Sequence, residues 1–436
     1  MSDTTVPAPA SAATPSAGSD YPPVKRSEIF GWCCFDFANS AFTTIIITVV
    51  YAVYFTQVVA AGDTHAEGWW GTALAVSQLC AILLGPLLGA VADITARKKT
   101  FLLVTAIICS LATASLAFVG PGEIALALGL VILANLAFSL SENLCSAFLP
   151  EISTPATAGR ISGYGWSFGY FGGLLSLILA LVMLKGLGWP TPWTFLMTGV
   201  FFIVACLPTQ LLLRERARPR ALAPGETYAG LAFAQLREMR HEVPRHRTLA
   251  VFFAAMTLFL SGLLAVVAFA AVFATKALGM TQADIIKLFV VLQLAGVAGA
   301  FGFGYLQDKI GAKVSLLASL VLWIVVCVWA YYCPDKEQFF LIGIVAGVAM
   351  GALQSASRAV VATLTPPGRA GEFFGYWGFF GKLAGIIGPL AFGWISSATD
   401  IRQAILINAG FFLAGLLVLL PLSLKPDASN TSASVA

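Results

Sequence analysis

The sequence predicts an all-α membrane protein, with twelve transmembrane helices in two six-helix halves related by internal pseudo-symmetry. Three observations carry that expectation. The 436 residues are 58% hydrophobic and only 11% charged, with a mean hydropathy of +0.87, whereas a soluble domain carries about 25% charge. A bilayer core of about 30 Å asks for about 20 apolar residues per helix, and a window of that size finds twelve such runs. They centre near residues 45, 80, 110, 136, 173, 203, 262, 295, 323, 351, 384 and 413. The third observation is a repeat. "GAVADITARKK" follows the second run and "GYLQDKIGAKV" the eighth, while "GYGWSFG" opens the fifth and "GYWGFFG" the eleventh. Both pairs recur at nearly one offset, and duplicated halves are the build of carriers that rock about a central site.

In chain order, residues 1–28 form a tail rich in Ala, Ser, Pro and Thr. It has no basic start or apolar core of a signal peptide and reads as disordered. Residues 29–213 hold the first six spans. Residues 214–248 form one long basic connection, residues 249–424 the second six spans, and residues 425–436 a polar tail. With both termini in the cytoplasm, Lys25, Arg26, Arg97, Lys98, Lys99, Arg160, Lys309, Lys313, Arg369, Lys425 and the arginines of the connection fall inside. Only Lys185, Lys276, Lys336 and Arg402 fall outside. That bias sets the orientation and implies an integral multi-pass protein, of the plasma (inner) membrane if the source is bacterial.

The net charge of +4 gives no reason to expect a nucleic-acid partner. The eight cysteines show no CxxC or Cys/His spacing and read as small packing residues. His65, His241 and His246 lie in polar connections, so no histidine site forms within the spans. No GxxxxGK[ST] phosphate loop is present. Neither a metal nor a cofactor is expected, the chain is not read as an enzyme, and a monomer in the bilayer is the expected state.

The pattern G-x-x-x-D-x-x-G-x-K, best matched at Gly304–Lys313, resembles the loop motif of the major facilitator superfamily. In the first copy Ile94 and Ala96 replace a usual basic residue and a usual glycine. Within that superfamily the chain is similar to the vacuole-effluxer-like branch, related to autophagy-linked amino acid exporters of fungal vacuoles. "FDFANSAFTT", "RISGYGWSFGYFGGLL" and "GALQSASRAVVATLTPPGRAGEFFGYWGFFGKLAGIIGP" carry that likeness. It implies the major facilitator fold, with spans 1, 4, 7 and 10 around a central cavity, and amino acids as the leading solute class. Another small metabolite or an amphipathic drug-like compound is the alternative. A membrane-embedded enzyme or lipid scramblase is the more distant one.

Helical periodicity fits such a cavity. Asp36, Asn39, Ser40, Thr43 and Thr44 share one face of span 1. Asn135, Ser139, Glu142 and Asn143 form a stripe on span 4, and Gln354, Ser355, Ser357 and Arg358 cluster on span 10. Span 7 offers only Ser261. An ionised group costs about 2.5–3.5 kcal/mol at a helix centre on insertion scales, so each one there is a functional candidate. Glu142 and Arg358 occupy matching places, each about 10 Å from the inner end of its span. Lys382 lies about 15 Å deep, at the midplane. Asp36 is its expected partner, and the solute's carboxylate competes for it. The expected substrate set is thus Asp36, Asn39, Ser40, Thr43, Asn135, Ser139, Glu142, Asn143, Gln354, Arg358 and Lys382. Asp93, Arg97, Asp308 and Lys313 are expected to gate the inner side. A proton is a candidate coupling ion, taken up by Asp36 or Glu142.

Overall fold

In the computed structural model the described residues are 24–153, 158–216, 247–364 and 370–423, with short stretches between 219 and 246. They contain twelve helices long and apolar enough to cross a membrane and no strand. Span 1 runs over Arg26–Val59, span 2 over Ala66–Thr95, span 3 over Lys98–Ser115, span 4 over Ile124–Ser146, span 5 over Ala158–Leu181 and span 6 over Pro192–Leu212. Span 7 covers Arg247–Leu278, span 8 Gln282–Ile310, span 9 Ala312–Tyr332, span 10 Lys336–Leu364, span 11 Ala370–Ala398 and span 12 Ile401–Leu419. The face at which span 1 begins and span 12 ends is termed the terminal face, and the other the distal face.

Apolar side chains point both ways, because lipid replaces water outside the bundle. Leu111, Phe171 and Leu211 are exposed on the perimeter. In spans 1 and 7, by contrast, 67% and 56% of the central window is buried, and 50% in spans 4 and 10, more than in any other span. These four helices therefore form the centre of the bundle.

Span 1 is not a uniform α-helix. Thr43–Val49 and Phe55–Val59 are wound as π-helix. The run "TTIIITVV" is almost wholly β-branched, and such side chains crowd the preceding turn of an α-helix. The wider turn shifts the ladder, and Val50 donates to the Ile45 carbonyl at 2.9 Å. The Val49 carbonyl accepts from the Gln282 amide of span 8 at 3.0 Å, so a side chain of the other half satisfies the distorted segment.

Charged groups lock the terminal face of the first half. Glu28 and Arg216 pair at 2.7 Å, their side chains only 2% and 9% exposed. Lys98 pairs with Glu151 at 2.9 Å, and Glu151 also accepts from the Arg216 backbone. The Glu215 carboxylate accepts from the backbone N–H groups of Lys98 and Lys99 at 2.6 and 3.3 Å. It caps span 3, where the N-cap residue Arg97 makes no side-chain cap, and a carboxylate at that end also complements the helix dipole. The start of the connection after span 6 is thereby pinned to the first half. Removing one partner of a buried pair leaves an uncompensated charge and costs about 3–5 kcal/mol. Arg216→Ala should lower the melting temperature accordingly, and Glu28→Leu combined with Arg216→Met should restore most of the loss.

Candidate substrate site

The two halves meet along two seams, span 2 against span 11 and span 5 against span 8, and span 1 touches span 7. At the distal face the contact is tight. Glu67 forms an ion pair with Lys276. The Gly68 N–H donates to Ser397 Oγ at 2.9 Å, Trp394 Nε1 to Thr72 Oγ1 at 3.1 Å, and Trp70 Nε1 to the Ala268 carbonyl at 3.3 Å. A methyl group on Gly71 would collide with the Pro389 carbonyl, and one on Gly393 with the Glu67 carbonyl. Toward the terminal face the same two helices part. A Cβ at Gly89 of span 2, or at Gly375, Gly378 or Gly381 of span 11, would meet no atom within 4 Å. The bundle is therefore closed distally and opens along the terminal part of this seam.

Where the closed part gives way to the open part lies Lys382. Its ammonium donates to Asn143 Oδ1 of span 4 at 3.1 Å, and the charge of the adjacent Glu142 acts on it. Gly85 of span 2 makes room for this amide: a Cβ there would stand 3.1 Å from Asn143 Nδ2. Asn135 Nδ2 donates to Ser77 Oγ at 2.6 Å and Ser139 Oγ to Gln78 Oε1 at 3.5 Å, so the span 4 stripe is continued by span 2. Gln78 in turn lies beside Gly385 of span 11.

The expected pairing of Lys382 with Asp36 is replaced by the contact with Asn143. The Asp36 carboxylate instead lies against Gly165 of its own half. The polar stripe of span 1 and the glycines of span 5 share one spacing. Asp36 faces Gly165, Ser40 faces Gly169 and Thr44 faces Gly173, while Gly172 sits on the Phe37 carbonyl. Small residues at four-residue intervals let helix backbones approach closely, so this face is first a packing face. Asn39 is buried on the same helix, and Thr43 donates to the Ser40 carbonyl.

On the second seam, Tyr170 of span 5 donates to Gln354 Oε1 of span 10 at 3.3 Å. Among the expected gating residues, Lys313 donates to the Leu420 carbonyl at 2.8 Å and so caps the end of span 12. Arg97 is exposed at the head of span 3. The side chains of Asp93, Asp308 and Arg358 lie outside the described residues. Sequence reasoning missed Gln78, Tyr170 and Gln293. Each is uncharged, and a lone glutamine in an otherwise apolar run, as in "AVSQLC" and "VVLQLAG", was the available signal.

Residues 71–430 match the family model described as "Vacuole effluxer Atg22 like". The chain is 24% identical over 419 residues to an uncharacterized MFS-type transporter, YxiO, of Bacillus subtilis (strain 168), covering 92% of this chain and 96% of the relative. It is 28% identical over 294 residues to autophagy-related protein 22-1 of Penicillium rubens, covering 62% of this chain and 49% of that protein, so it spans about half the length of this fungal relative. Among solved structures, a D-xylose–proton symporter superposes with a TM-score of 0.71 at 13% identity, over 92% of this chain and 98% of that one. The nucleoside transporter NupG superposes with a TM-score of 0.70 at 15% identity, over 90% and 99%. These two share the fold.

Proposed function

The chain belongs to the Atg22-like vacuole effluxer family, a multi-pass membrane transporter of the major facilitator fold rather than an enzyme, and on that premise we propose that it carries amino acids by alternating access. One observation supports the solute class above the rest. Lys382 lies about 18 Å into its helix, and its ammonium meets a neutral amide rather than a carboxylate among the described residues. A cation there calls for a counter-charge, and the carboxylate of an amino acid supplies one. Glu142, next to Asn143, offers the complementary charge for the solute's ammonium. A cation and a carboxylate side by side suit a zwitterion better than a sugar or a nucleoside.

The closed distal face and parted terminal ends give access from the terminal face, and the opposite arrangement completes the cycle. The Lys and Arg bias places that face in the cytoplasm, in the plasma membrane if the source is bacterial. A proton is the coupling ion that fits Glu142, and one fold neighbour is named a proton symporter. Glu142→Gln should abolish accumulation driven by a pH gradient while solute exchange persists. Gradient-driven accumulation by this variant would remove Glu142 from the coupling path.

A thermal-shift screen tests the solute class. A ligand at 100 times its Kd adds about 2.7 kcal/mol to the folded state. Amino acids should raise the melting temperature, and nucleosides and pentoses should not. The reverse pattern would overturn the reading.

A further inference from the structure

We infer that the second seam is a side-chain subsite, and that the preferred solute is an amino acid with an uncharged amide or hydroxyl side chain; this rests on the amino acid reading above. The two seams differ in chemistry. The span 2–span 11 seam holds the charges, Lys382 and Glu142, with Asn143 between spans. The span 5–span 8 seam holds amides and hydroxyls. Gln293 Nε2 of span 8 and Thr44 Oγ1 of span 1 stand 2.8 and 3.0 Å from the point where a Cβ on Gly173 of span 5 would be. Tyr170 on the same helix holds Gln354 by its carbonyl oxygen, which leaves the Gln354 amide N–H groups turned to other partners. Tyr170 is about 18 Å into its helix and Lys382 about 18 Å into span 11, so the two seams present their groups at one level.

The polar groups here have capacity to spare. Thr44 is only 9% exposed, and neither its hydroxyl nor the Gln293 amide has a hydrogen-bond partner among the described residues. An amide or hydroxyl taken from water without a partner is costly, and lipid offers none. Four helices bring such groups together, and Gly173 is what admits them. A carboxamide side chain has one donor group and one acceptor and matches them. A hydroxyl matches them in part. An aliphatic side chain leaves them unpaired, which is how a hydrogen-bonding site rejects an apolar analogue. A charged side chain finds no described counter-charge on this seam.

The test is transport in proteoliposomes of purified full-length protein, comparing glutamine, asparagine and serine with leucine, lysine and glutamate. Glutamine and asparagine should have the highest kcat/KM. Gln293→Leu should lower it for glutamine by about tenfold or more, the cost of one buried unpaired group, while leucine transport holds or rises and so reports a folded carrier. Gly173→Ala should act in the same direction by displacing the Gln293 amide, with the charged seam untouched. Leucine or lysine carried as well as glutamine by the wild type, or a glutamine-to-leucine ratio unchanged in both variants, would overturn the subsite and leave the amino acid reading standing. Transport of none of the six by the wild type would overturn that reading and the subsite with it.

Discussion

Lys382→Met should abolish amino acid transport, with kcat/KM falling by about a hundredfold, in line with the 2–5 kcal/mol lost when one partner of a buried charge pair is removed. The melting temperature should hold or rise, since replacing a buried ion with an apolar side chain of similar length is often neutral or stabilising. The argument is local. Lys382 bridges to Asn143 of the other half by one hydrogen bond, which methionine gives up at small cost because the amide borders open space. A structural lysine would give the opposite pattern, a lower melting temperature with binding intact in the protein that remains folded. Asp36→Asn is not expected to tighten substrate binding, because Asp36 lies on Gly165 and does not compete for the ammonium. Thermal shift and flux on the same preparations separate the two roles.

Gly378→Leu should leave substrate binding intact and stop transport. Gly375, Gly378 and Gly381 line the terminal part of span 11 and face open space. Farther along the same helix Gly388 sits on the Ser261 carbonyl and Gly393 on the Glu67 carbonyl. The distal glycines are already used for close packing. The terminal ones have the same chemistry and no contact, which is the property needed of a surface that packs only in the other state. A leucine there fits the open form and obstructs the closed one. A cysteine placed beside Lys382 should therefore stay reactive from the terminal face with or without substrate in Gly378→Leu, whereas substrate should alter its labelling in the wild-type background. Normal transport by the variant would show that the terminal ends close without using this face. Gly388→Ala is expected to behave differently, with lower stability in every state.

The twelve spans and the duplicated halves were legible because lipid imposes a length and an apolar content on every crossing, and the motif pairs share one offset. Helical periodicity also placed Asp36, Ser40 and Thr44 on one face and Glu142 with Asn143 on another. It could not say what each face meets. Asp36 was assigned to Lys382 because both are charged and near the midplane, yet its face docks on Gly165, Gly169 and Gly173. The shared four-residue spacing of those glycines was visible in "GYGWSFGYFGG", but pairing two helices needs the three-dimensional arrangement. Gln293 was passed over because an uncharged residue in an apolar run stands out less than a charge. The π-turns of span 1 follow from its β-branched run, but the Gln282 side chain that completes them comes from the other half.

The most direct measurement is counterflow. Proteoliposomes loaded with an unlabelled amino acid, glutamine first, are diluted into the same amino acid in radiolabelled form with no ion gradient. A carrier that alternates around one amino acid site accumulates label transiently, and Lys382→Met abolishes that accumulation. Accumulation of a labelled nucleoside or pentose with none of any amino acid, or amino acid counterflow equal in wild type and Lys382→Met, would contradict the assignment of Lys382 and its seam as an amino acid site.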